Sequence, residues 1–248
     1  MAGVEAHSVQ RAEAVGEPRL LPPELNETAL EALDQATRSD PIDLDLLRAR
    51  PIRDLRGRID DAVATIEKVD HKALLRHVGW LGRLTGADVE ARLAFELSTA
   101  QVAERIQGLV AADANAAHAE ALLRDTAAAL HHDQDRLRAV IAEAHALLAG
   151  ASAVEDFLRS RFERRLANLE AIHVSNDLAL AQIRLAEDVL KAMRDRVRDV
   201  TGGLYPLWQR HALAVAVTAA GPQRRTAGEA FAAIHTRLIA LLREDADP

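Results

Sequence analysis

The 248-residue sequence predicts an all-α protein, on three observations. Hydrophobic residues make up 49% of the chain but aromatics only 3%. The apolar content is therefore mostly Ala and Leu, which suits close helix-on-helix packing rather than a sheet core rich in Val, Ile, Tyr and Phe. Ala, Leu, Glu and Arg are also strong helix formers, while the 12 Gly and 8 Pro are sparse and sit near segment ends. Third, apolar residues recur in steps of three and four over long stretches, the spacing of one helix face. The expected architecture is an elongated bundle built on a long antiparallel, coiled-coil-like helical hairpin with shorter flanking helices.

Residues 1–23 mix Ala, Glu, Gly and Pro without periodicity and close on Pro22-Pro23, predicting a flexible tail. Residues 24–50 predict short helical segments, with Leu25, Leu30 and Leu33 on one face. Asp40-Pro41 interrupts them, because Pro disfavours helix in the residue before it. A helical domain is expected over 51–244. Pro51 suits a first helical turn, and Leu55, Ile59, Val63, Ile66 and Val69 follow on one stripe. A further stretch carries Leu74, Leu75, Val78, Leu81 and Leu84 and stops at Gly86.

The first long arm spans 88–148, with Val102, Ile106, Leu109, Leu123, Leu130, Leu137 and Ile141 along one stripe. Gly108 costs about 1 kcal/mol against Ala, and Asp113-Ala114-Asn115 is a candidate kink. No Pro breaks the arm, so a helix on the order of 90 Å follows at 1.5 Å per residue. That exceeds a compact globule and fits a hairpin. Gly150-Ala151-Ser152 is the expected turn, with Ser152 as N-cap and Glu155 at capping-box spacing. The return arm spans 154–200 and is expected to stop at Thr201-Gly202-Gly203. Pro206 opens a short apolar helix over 206–219, Gly221-Pro222 breaks the chain, and 227–243 forms a final helix through Phe231, Ile234, Leu238 and Leu241.

Several function classes are disfavoured. A formal net charge of −7 does not advertise nucleic-acid binding. With no Cys, disulfides, thiolate metal sites and thiol redox chemistry are excluded. Residues 1–17 hold no apolar run of a secretory signal, and the most apolar run, 212–220, is far short of the ~20 residues a spanning helix needs. A cytoplasmic protein with no integral membrane segment is expected. The apolar helix with Tyr205 and Trp208 could meet a membrane surface peripherally, but only Arg210 and His211 supply a polar face, so packing against the arms is favoured.

His131 and Asp135 have helical i, i+4 spacing with His132 adjoining. A zinc site needs three or four protein ligands and only two can be placed, so neither metal nor cofactor is expected. No nucleophile elbow, phosphate-cradling loop or His-Glu-x-x-His is present, and an enzyme is not expected. Arg159, Arg161, Arg164 and Arg165 cluster at the start of the return arm. Guanidinium groups suit oxyanions, but interleaved Glu155, Asp156 and Glu163 favour a solvated mixed-charge face.

Three ordered segments carry a family resemblance: Arg161-Phe162-Glu163-Arg164-Arg165-Leu166, then Gln182-Ile183-Arg184-Leu185, then Tyr205-Pro206-Leu207-Trp208-Gln209. Weaker echoes are Leu122-Leu123-Arg124-Asp125 and Trp80-Leu81-Gly82-Arg83-Leu84. In order and approximate spacing they resemble the TelA-like family of toxic anion (tellurite) resistance proteins. The resemblance implies a helical cytoplasmic protein of bacterial tellurite resistance or stress response, and transfers no catalytic residue. Family members usually continue into further long polar helices, a pattern this sequence leaves at Gly221-Pro222.

The expected function is a non-enzymatic one exercised through protein partners, with self-association through the helical arms among them. Direct oxyanion binding is the second reading, and a coiled-coil structural adaptor unrelated to anions the third. Candidate binding residues are Arg161, Arg164, Arg165, Gln182, Arg184 and Trp208.

Overall fold

A computed structural model describes residues 19–38, 50–70, 72, 87–151, 155–218 and 222–244. Among them all regular structure is helical: α1 (Glu27–Ala36), α2 (Arg50–Glu67), α3 (Ala87–Gly150), α4 (Asp156–Asp199), a π turn (Val200–Leu204), α5 (Tyr205–Val217) and α6 (Pro222–Arg243). The all-α expectation holds. Expectations for 1–18, 42–49, 73–86 including Trp80, for Ser152 and for Gly221 lie outside the described residues.

Contacts divide the chain into two compact units. The first comprises Met1–Asp40 with His132–Asn176, and the second Pro41–His131 with Asp177–Pro248. Both long helices contribute to each unit.

In the first unit, α1 begins where Asn26, in extended backbone, accepts a hydrogen bond from the Ala29 N–H at 3.0 Å. Such a cap satisfies one of the donors a helix start leaves open. Just upstream, the Glu143 carboxylate accepts the N–H groups of Leu20 (3.0 Å) and Leu21 (2.8 Å), tying this segment to α3. Leu30, Leu33, Leu137, Phe162 and Leu169 are fully buried together. Here α3 and α4 run antiparallel: Gln134 donates to the His173 carbonyl at 3.0 Å and His145 meets Glu170 at 2.8 Å.

In the second unit the same two helices again run antiparallel. Asp113 and Glu120 meet Arg194, and His131 meets Arg184. Val102, Leu109, Ile183 and Leu190 share one core with α2, α5 and α6. Each unit thus contains a stretch of the expected helical hairpin. Helix α3 passes through Gly108, where a side chain would meet open space. It also passes through the candidate kink at Asp113-Ala114-Asn115, where the Asp113 carboxylate accepts a hydrogen bond from Arg194 of α4.

The expected stop at Thr201-Gly202-Gly203 is overturned. Asp199 and Tyr205 on either side are both right-handed helical, and the Tyr205 N–H bonds the Val200 carbonyl five residues back. The chain therefore continues from α4 into α5 through a single π turn. Buried positions show why. Leu190, Met193, Val197 and Val200 advance by three and four, Tyr205 comes five later, and Trp208, Ala212 and Val215 resume the rhythm. One extra residue is absorbed so that both stripes face the same core. Neither glycine takes the left-handed conformation that a glycine stop uses. Packing on both sides outweighs their poor helix propensity. Downstream, α5 ends at Val217, and α6 begins on Pro222, five residues before the expected 227.

Candidate functional site

The second unit holds an aromatic cluster assembled by three helices. Trp208 is 1% exposed, and its indole N–H donates to His235 Nδ1 at 3.2 Å. An accepting Nδ1 carries no proton in this arrangement. Tyr205 stacks on Trp208 at 6.0 Å between centroids, Phe231 lies 5.4 Å from Trp208, and Phe95 of α3 meets Phe231 edge-on at 5.7 Å. Spacings of this kind suit aromatic quadrupoles. Burial raises the Tyr205 phenol above its ordinary pKa, partly opposed by the hydrogen bond from Gln209.

Further along α3 lies a charged cluster. Arg194 donates to Asp113 at 2.9 Å and also to Glu120. The three side chains are only 10%, 19% and 16% exposed. Burial acts against the charged guanidinium, but the hydrogen bonds and charges of Asp113 and Glu120 outweigh it, and Arg194 is held above its ordinary value. Arg198 adds a looser contact to Asp113 at 3.8 Å. In sequence Arg194 sits among Asp195, Arg196 and Arg198, and these neighbours give no sign that it is buried. The missing signal was its partners, about seventy to eighty residues upstream.

The sequence-predicted residues separate. Arg161 and Arg165 lie in the first unit, paired with Glu27 at 2.6 Å and Asp34 at 2.9 Å. Arg161 also sits over the Phe157 ring at 5.7 Å. Their charges are balanced by α1. Arg164 points to solvent on the same turn. Gln182, Arg184 and Trp208 belong to the second unit but do not form one site. Gln182 and Arg184 are exposed, with Arg184 Nη2 at 3.2 Å from His131 Nε2. Trp208 is a core residue that faces α6 because the π turn keeps its stripe in phase. The hydrophobic motif members Phe162, Leu166 and Ile183 are buried too.

One surface was not foreseen. Leu178 and Leu185 are 61% and 58% exposed and fall on the same face of α4 as Gln182, in steps of four and three. Two members of the Gln-Ile-Arg-Leu segment thus share an exposed apolar-polar face.

These features define a helical-hairpin protein whose motif residues divide between two cores and the surface. Among the described residues no group of three or more His, Asp and Glu is placed to hold a metal ion. No described helix is long and apolar enough to cross a membrane. Over 183 residues the chain is 26% identical to Protein KlaA of Escherichia coli, an alignment covering 66% of this chain and 67% of that protein. No family model matches the chain, and no solved structure matches it.

Proposed function

We propose that this chain is a non-enzymatic, TelA-like protein of toxic-anion (tellurite) resistance or stress response, which works in the cytoplasm by contacting protein partners. The likeness to Protein KlaA over two thirds of both chains supports placing it beside such proteins. The three ordered motif segments support it independently.

The observation that carries partner contact is the face of Leu178, Gln182 and Leu185. Leu178 and Leu185 give this face apolar area that a partner would cover. Direct oxyanion binding is less well supported, because Arg161 and Arg165 already hold carboxylates. Membrane contact by α5 has less support as well, since Tyr205, Trp208, Ala212 and Val215 are buried against protein.

The test is complementation of a deletion strain with Leu185→Glu and Gln182→Ala variants. Tellurite tolerance should fall while circular dichroism of the purified variants matches the parent. Full tolerance with both variants rejects this face as the working surface. Unchanged tolerance on deleting the gene rejects the resistance role altogether.

A further inference from the structure

Helix α2 carries its charges in the order its own dipole disfavours. Residues 50–58 hold Arg50, Arg53, Arg56 and Arg58 against the single acid Asp54, and the acids Asp60, Asp61 and Glu67 follow. The first turn has no acidic side chain and the last no basic one, whereas a helix prefers acids at its start and bases at its end. The four arginines are exposed, so the core does not place them there; α2 enters the core through Leu55, Ile59, Val63 and Ile66. Among the described residues Arg53, Arg56 and Arg58 have no ion-pair partner, and Arg50 has only Asp54 at 4.0 Å. Arg161, Arg165, Arg194 and Arg198 of α4, by contrast, each meet a carboxylate.

A cavity of about 430 Å³ opens between this end of α2 and the middle of α3. Small-molecule sites span about 300–1,000 Å³. Pro51, Ala112 and the buried Leu55 and Ala116 give it an apolar lining. Arg50, Asp54 and Arg58 line it from α2, in four-residue steps that put them on one face, and Asn115 lines it from α3. Among the described residues the Arg58 guanidinium and the Asn115 amide make no hydrogen bond, so their donors are open to a ligand.

The donor set selects the ligand. Guanidinium groups and an amide offer N–H groups to an oxyanion, and Arg holds phosphate with two parallel bonds. Asp54, between the two arginines, repels a bare anion and accepts hydrogen bonds from hydroxyl groups. A ligand that suits both carries an anion at one end, hydroxyl groups beside it, and carbon to cover the apolar lining. We propose that this cavity binds a phosphate monoester of a hydroxylated ring, a sugar phosphate or a nucleotide. Its phosphate meets Arg58 and Asn115, and a ring hydroxyl donates to Asp54. Arg53 and Arg56, outside the cavity, add the positive potential that draws the anion in. The inference goes beyond the resistance reading and does not rest on it.

Isothermal titration calorimetry of the full chain tests it, with ribose 5-phosphate, adenosine monophosphate, inorganic phosphate and ribose as probes. At least one of the two monoesters should bind, and the tighter one tells a sugar-phosphate site from a nucleotide site. Inorganic phosphate and ribose should each bind about tenfold more weakly than that ester. Arg58→Gln should weaken the ester by about tenfold with unchanged circular dichroism. Asp54→Asn should narrow the gap between ester and inorganic phosphate. Arg164→Gln, an exposed arginine of the first unit, should change nothing. No heat from either monoester at about 10 mM overturns the proposal. So does inorganic phosphate binding as tightly as the ester, an ester indifferent to Arg58→Gln, or a gap that Asp54→Asn leaves as it was.

Discussion

Arg194→Leu should strongly destabilise the α3–α4 seam of the second unit. The three side chains of its cluster are at most 19% exposed, which places them outside the regime of surface ion pairs worth about 0–1 kcal/mol. Removing one partner of a buried pair costs about 3–5 kcal/mol, because the remaining charge is left without compensation. Here Asp113 and Glu120 would lose their shared cation, and each would keep only a more exposed arginine, Arg198 at 3.8 Å and Arg124 at 2.8 Å. Partial solvent access argues for the lower end, about 3 kcal/mol.

The companion variant replaces Asp113, Glu120 and Arg194 together by Leu, Leu and Met. Apolar replacement of a whole buried ionic group is often neutral or stabilising. The triple variant should therefore recover most of the loss. Urea unfolding followed by tryptophan emission reads the effect, since Trp208 lies in the core of the second unit. A loss below about 1 kcal/mol for Arg194→Leu would refute the reasoning and return the cluster to the class of exposed pairs.

The π turn offers a stabilising substitution. Gly202 and Gly203 are exposed, helical and open to a Cβ, so Gly202→Ala and Gly203→Ala should each add about 0.5–1 kcal/mol, and a drop in melting temperature would contradict this. Tyr205 gives a pH signature. Its folded pKa is raised, so its contribution is whole below the ordinary tyrosine range of about 10 and is lost as pH climbs through the raised value. Phenolate absorbance of this sole tyrosine should rise only above the ordinary range, with stability falling in step and Tyr205→Phe flattening the fall. Titration at or below that range would rule the burial effect out. In the first unit, Asn176 is 9% exposed and its Nδ2 has no hydrogen-bond partner among the described residues. Asn176→Leu should raise stability by about 1–3 kcal/mol in thermal melts, and a loss would mean that the amide secures the pairing of α3 with α4.

Helix class and the hairpin were legible because they depend on spacing within one segment. The stripes through Val102 and Ile106, and through Ile183 and Leu190, needed no knowledge of their partners. Glycine at 202 and 203 misled because local propensity pointed to a stop while distant packing required continuation. The five-residue step from Val200 to Tyr205 was the readable clue. Site residues were harder to judge. Arg161 and Arg194 look alike in sequence, yet one meets α1 at a half-exposed surface and the other is buried between two acids of α3. Only tertiary pairing separates them, and no periodicity within α4 encodes it. Trp208 was conspicuous as a rare residue, but its rarity reflected a core role.

The first unit's interior has a consequence of its own. Apart from Phe162 its buried apolar side chains are all aliphatic, mainly Leu with Ala. Flexible aliphatic side chains of this kind specify register less sharply than polar contacts do. The bonds that fix register here are few and polar: Gln134 to the His173 carbonyl, His145 to Glu170, and Glu143 holding Leu20 and Leu21. They act as the notches of a vernier, contributing little to the depth of the energy well and much to its uniqueness. Sequence drift in this half should therefore exchange one aliphatic residue for another freely while leaving those polar positions in place.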